Sequence, residues 1–152
     1  MDGSMRIAAM LYQSAYADQA HPVFTINGVV LNIWLHKQTQ EKYVFDLAPA
    51  QGWLLDEGES ALAWQLLRKL DVGDCAIVPL LVCTDDMDLN CSVISVEQCV
   101  TADAVIWQRF AWGFNNGTDT DLNWLSTPTS VSFEKAEFMH AVEEFQRLLD
   151  EL

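Results

Sequence analysis

Basic residues are scarce in this chain: 8 Lys and Arg stand against 22 Asp and Glu, for a formal net charge of -14. Such a chain is repelled by phosphates and anionic lipid, which argues against direct binding to nucleic acid or to an acidic membrane surface. Long apolar runs are also lacking, and no stretch approaches the roughly 20 residues that a membrane-spanning helix requires. With 7 glycines and 4 prolines there is no low-complexity segment. Neither a G-x-G-x-x-G loop nor a Walker-type phosphate loop occurs, and G-x-S-x-G and H-E-x-x-H are missing as well. The 3 histidines, His21, His36 and His140, share no metal-ligand spacing. What the chain has is apolar mass: 51% hydrophobic residues, 6 Trp and 7 Phe in 152 positions, enough for one sizeable core and a single domain.

Gly3-Ser4 before a second Met reads as a cloning junction, so residues 1–4 are set aside as an expression scar and the domain as 5–152. The apolar run 7–12 and the pattern Ala15-Tyr16-Ala17 mimic a secretory signal, but the run is short and Arg6 is a poor basic leader. A first strand over 6–13 is the expectation instead. Asn27-Gly28 between apolar runs is a type I′ hairpin signal, pairing strands 23–26 and 29–35. A short strand is expected over 43–47, followed by a loop marked by Pro49, Gly52 and Gly58.

Ser60 as N-cap, with Leu62, Ala63, Leu66, Leu67 and Leu70 in a stripe, predicts a helix that stops at Asp71–Asp74. Strands follow over 75–83, with an edge or bulge at Pro79, over 91–100, and over 104–114. In the last of these, Ile106, Phe110, Trp112 and Phe114 alternate against Val105, Trp107 and Arg109, as in a strand covered on both faces. A polar, acidic loop spans 118–128. From Glu134, the spacing of Phe138, Ala141, Val142, Phe145, Leu148, Leu149 and Leu152 predicts a terminal amphipathic helix. The predicted fold is α+β: a single domain with an antiparallel sheet of five to six strands and two main helices packed on it.

Cys75, Cys83, Cys91 and Cys99 are spaced eight apart. A hairpin turning at Met87 sets Cys83 opposite Cys91 and Cys75 opposite Cys99, with the two pairs roughly 26 Å apart at about 3.3 Å per residue. The four thiols therefore cannot share one tetrahedral zinc, and no C-x-x-C is present. Each opposed pair lies near disulfide range, which leaves a redox or disulfide role open for each pair singly; in a reducing cytosol the leading expectation is four free, small buried hydrophobes in a chain that folds without metal or other cofactor. Asp85-Asp86-Met87-Asp88 lacks the frame of an EF-hand loop and is expected to be a solvated turn. Asn90-Cys91-Ser92 and Asn116-Gly117-Thr118 match the glycosylation pattern only by chance if no secretory signal is present. With no catalytic constellation in the sequence, the expectation is a protein that is not an enzyme.

Charge is the informative feature. Between Asp71 and Asp121 there are nine acidic residues and one basic residue, Arg109. Most fall in predicted turns, where a rigid scaffold presents a negative field that speeds encounter with a basic protein. The candidate partner-binding residues are Asp85, Asp86, Asp88, Asp103, Asp119 and Asp121, with Trp124 as either an apolar anchor or a lid over the core.

The Phe24-Thr25-Ile26-Asn27-Gly28 hairpin, the acidic middle, and the ending Val131-Ser132-Phe133-Glu134-Lys135-Ala136-Glu137-Phe138 together resemble the small immunity proteins of bacterial polymorphic-toxin and contact-dependent growth inhibition systems. The resemblance implies a cytoplasmic protein that binds a cognate toxin domain, often a nuclease with a basic groove, and blocks it. Two other functions stand beside it. One is an acidic secretion chaperone that holds an effector segment in apolar grooves, a class that usually begins with a helix; the other is an enzyme of unknown type.

Overall fold

The structure, a computed structural model, describes residues 4–127 and 129–152; residues 1–3 of the expected scar and Pro128 of the expected acidic loop lie outside them. The described residues form strands β1 (Ser4–Met5), β2 (Ile7–Tyr12), β3 (His21–Ile26) and β4 (Val29–Val30), then helix α1 (Leu31–Thr39) and strand β5 (Leu47–Pro49). Helices α2 (Ala50–Trp53) and α3 (Glu57–Leu67) follow, then strands β6 (Cys75–Cys83), β7 (Val93–Val100), β8 (Ala104–Trp112), β9 (Asn123–Trp124) and β10 (Val131–Glu134), and finally helix α4 (Lys135–Asp150).

The α+β class is as expected, but the sheet is not purely antiparallel. The seven-stranded sheet runs β1-β10-β8-β7-β6-β5, with β9 also on β8, and β1 lies parallel to β10. A second sheet, β2-β3-β4, is antiparallel. Ser4, read from sequence as part of a scar, is in register with Ser132. One residue, Arg6, carries the chain from one sheet to the other. Glu137 of α4 fixes this crossing, accepting from Arg6 Nε at 2.6 Å and from the Ile7 amide at 2.9 Å.

Asn27 and Gly28 take φ of 50° and 81°, as a type I′ turn requires. The strand beyond them is cut to two residues, however, and 31–35 is helical. Leu31, Trp34 and Leu35, at i, i+3 and i+4, are buried on one side of α1. A run of seven apolar-rich residues fits both periods, and packing decides between them. Residues 43–46 form a 3-10 turn in place of a strand, and pairing starts only at Leu47, opposite Cys83.

β6 spans 75–83 as expected, and its register shifts just after Pro79, which cannot donate to the ladder. A second shift, opposite Gln108 and Arg109, breaks the alternation expected for β8. Trp107 and Phe110 therefore lie on the same side, 6.2 Å apart, where strict alternation would place them on opposite faces. Trp107 is also edge-on to Phe133 at 4.9 Å and to Phe138 of α4 at 6.0 Å. Its indole N–H donates to Gln98 Oε1 at 2.9 Å, and Gln98 Nε2 donates to the Leu67 carbonyl at 3.0 Å. Two polar atoms of the core are thus satisfied while the end of α3 is tied to the sheet. α4 buries Phe138, Ala141, Val142 and Phe145, the stripe read from sequence. No helix among the described residues is long and apolar enough to cross a membrane.

Candidate functional site

The β6–β7 connection, residues 84–92, is held on several sides. The Cys83 amide donates to the Ser92 carbonyl at 3.0 Å, and the Leu55 amide to the Met87 carbonyl at 3.2 Å. Asp88 Oδ1 accepts from the amides of Asn90 and Cys91, both at 2.9 Å, so this carboxylate is committed to the turn. The Glu59 carboxylate accepts from the Leu89 amide at 3.3 Å, and Leu89 is buried against Ala50, Val82 and Val93. These bonds seat the turn on the start of α3.

That helix start brings further acids. Asp56 is the N-cap and accepts from the Glu59 amide at 2.9 Å, with Glu57 and Glu59 in the first turn. Ser60, expected as the cap, lies inside the helix. Asp56, Glu57, Glu59, Asp85, Asp86 and Asp88 therefore gather at one end of the molecule. The positive end of the α3 dipole makes their crowding tolerable.

Beside this end opens a cleft of about 380 Å³, lined by Trp53, Leu55, Met87, Leu149 and Leu152 and closed by the 17–22 segment. Leu55 and Leu152 are 69% and 67% exposed on its rim. Trp53 stands edge-on to Tyr16 at 5.3 Å and to His21 at 5.4 Å. His21 is buried, with Nδ1 3.1 Å from the Pro22 carbonyl and Nε2 3.0 Å from Ser14 Oγ. A carbonyl only accepts, so Nδ1 carries the proton and Nε2 accepts from the Ser14 hydroxyl. Burial pushes the imidazole pKa below its ordinary value despite the Pro22 carbonyl, and burial pushes the Tyr16 phenol up. His21 lines the cleft while the buried Ser14 lies behind it, so the pair satisfies two buried polar side chains at the cleft wall. His36, whose Nδ1 lies 2.7 Å from the Glu41 carbonyl, and the exposed His140 lie elsewhere.

The predicted partner-binding residues are not brought together as one surface. Asp85 and Asp86 are exposed in the turn beside half-buried Asp88. Asp103 sits in the β7–β8 turn, at the far end of an eight-residue strand and thus about 26 Å away. Asp119 and Asp121 lie on the loop after β8. That loop leaves from the acidic end, where Asn115 and Asn116 adjoin Asp56, Glu59 and Asn90, and its Asp119 lies beside Cys75 and Glu97. Trp124, expected as an apolar anchor or a lid, is held within the sheet. It is half-buried in β9, opposite Ala111, with the Arg109 guanidinium 3.6 Å from its ring centroid, and Arg109 is paired with Glu97 at 3.0 Å.

The cysteines depart from the expectation of four free buried thiols. Cys75 and Cys99 face each other as the hairpin register requires, but they are joined in a disulfide, and Cys75 is exposed. The shift after Pro79 moves Cys83 opposite Ser92. Cys83 and Cys91 are free and half-buried, and together with Asp86 they place two sulfurs and a carboxylate oxygen within 4.8 Å of one another. Burial raises the Cys83 pKa, but hydrogen bonds from Cys91 and from the amides of Asp86, Met87 and Ser92 outweigh it and hold the thiol below its ordinary value. Cys91, donating to Cys83, is pushed up to about 11.

Asp56, Glu57 and Glu59 escape the sequence reading because Ser60 offers a competing N-cap four residues later. Asp56-x-x-Glu59 is a capping-box pattern and could have revealed them. No protein-family model matches the chain, and neither a curated protein nor a solved structure shows detectable similarity to it.

Proposed function

We propose that this chain is a binding protein for a basic protein partner, of the immunity type that neutralises a toxin domain. The observation that supports it most is the adjacency of the apolar cleft to the acidic end: Leu55 and Met87 line the cleft, and their neighbours Asp56, Asp86 and Asp88 belong to the acidic group. Charge speeds encounter and sets orientation, while buried apolar side chains supply most of the affinity. A partner that carries an apolar side chain within a basic surface satisfies both. A nuclease groove, basic because it holds phosphates, is the partner surface this reading favours. The proposal places the protein in the cytoplasm, where reducing conditions open Cys75–Cys99 and the β6–β7 ladder keeps the register by itself.

The test is capture of partners from the host cell with wild type, a Glu57→Lys/Asp85→Lys variant, Leu55→Asp, and Asp103→Lys. Loss of the same basic protein with the first two variants and its retention with Asp103→Lys supports the proposal, and inhibition of that protein's activity by the wild-type chain completes it. Equal capture by all four rejects it. The same apolar cleft favours a second reading, the secretion chaperone; in that case Leu55→Asp alone loses the partner, and the partner is an exported effector.

A further inference from the structure

We propose that Cys83, Asp86 and Cys91 form a binding site for one zinc-class divalent cation. The three side chains come from the end of β6 and the connection that follows it, as Cys-x-x-Asp-x-x-x-x-Cys, and their ligand atoms already lie within 4.8 Å of one another. In a tetrahedral zinc site with bonds of about 2.3 Å to sulfur, neighbouring ligand atoms stand roughly 3.8 Å apart, so about 1 Å of side-chain adjustment closes the set. Two sulfurs and one carboxylate oxygen form a borderline-soft donor set that suits zinc and disfavours calcium and magnesium, which take oxygen ligands.

The surroundings favour a standing site over a chance approach. The β6–β7 ladder fixes Cys83 through the Ser92 carbonyl, and the Asp88 carboxylate fixes the Cys91 amide. Three protein ligands leave a fourth position for water, the arrangement of an exchangeable or reactive zinc rather than a closed structural one. Binding releases the protons carried by the thiols. The inference goes beyond partner binding and needs no partner for its test.

The test is titration of the anaerobically purified, mildly reduced chain with Co²⁺, followed by displacement with Zn²⁺. The expected result is one Co²⁺ per chain, with near-ultraviolet sulfur-to-cobalt charge transfer and the strong visible bands of tetrahedral cobalt, both abolished by Zn²⁺. Cys83→Ser and Cys91→Ser lose these bands, Asp86→Asn weakens binding by about tenfold or more, and the paired Cys75→Ser/Cys99→Ser variant keeps them. In the wild-type chain, where no variant has to fold, Zn²⁺ should protect Cys83 and Cys91 from alkylation as mapped by mass spectrometry. Absence of the charge-transfer bands, their survival in Cys83→Ser, or isolation of Cys83 and Cys91 as a mutual disulfide that mild reduction does not open would overturn the proposal.

Discussion

Replacing Trp124 with Ala should destabilise the fold and leave the affinity for a partner nearly unchanged. Truncating a fully buried Phe or Trp to Ala costs about 3–5 kcal/mol, and a half-buried indole takes roughly half of that. The Arg109 guanidinium over its ring, with the Arg109 side chain 45% exposed, adds about 0.5–1 kcal/mol of cation–π attraction. The sum, about 2–3 kcal/mol, lowers the Tm by about 4–12 °C for a chain of this size. Denaturant unfolding of wild type, Trp124→Ala, Arg109→Met and the double variant should give a coupling of about 0.5–1 kcal/mol, and Trp124→Phe should recover most of the loss. A Trp124→Ala chain that melts with wild type but has lost its partner would refute this reasoning and restore Trp124 as the binding anchor.

Gln98→Leu should cost about 2–5 kcal/mol in urea unfolding, because it strands the Trp107 indole N–H and the Leu67 carbonyl in the core. The pKa of His21 is lowered in the fold, so the folded chain binds fewer protons than the unfolded chain. Its contribution is therefore complete above the unfolded value near 6.5 and is lost as pH falls through the folded value. Stability measured from pH 8 to 5 should decline below about 6.5 with a His21 slope of at most about 1.4 kcal/mol per pH unit, and His21→Gln should remove that part of the slope. Reduction of Cys75–Cys99, which closes a loop of sequence separation 24, should cost up to about 3.5 kcal/mol while leaving the far-ultraviolet circular dichroism of the folded state unchanged.

Legibility in the sequence followed the strength of local signals. The terminal helix was readable because seven apolar positions share one period, and the Asn27-Gly28 turn because two successive residues need positive φ. The hairpin register of Cys75 and Cys99 followed from the spacing of the strands alone, but their oxidation did not, because redox state is not a pattern of residues. Residues 29–35 misled because an apolar run satisfies both periods until burial of Leu31, Trp34 and Leu35 selects the helix. The bulges after Pro79 and beside Arg109 shift side chains by one position, and that undid the faces expected of β8 and the pairing of Cys83 with Cys91. Parallel pairing of Ser4 with Ser132 joins residues at opposite ends of the chain and leaves no local trace. At the candidate site the acids of the 84–92 turn were visible. The acids at the start of α3 carry a local capping signal that Ser60 masks, but their approach to the turn and the cleft of Trp53, Leu55, Met87 and Leu152 arise from tertiary packing.

The central claim, that the acidic end steers a basic partner toward the apolar cleft, is tested most directly by the association rate of the captured partner as ionic strength rises and the Debye length falls from about 30 Å to about 8 Å. Wild type should associate progressively more slowly along this series. Glu57→Gln/Asp85→Asn, which removes exposed charge without touching the Asp56 cap or the Asp88 turn, should begin slower and respond less, with both chains equally stable. A wild-type rate that does not change with salt, or a charge-neutralised variant that matches it at low salt, would contradict the claim.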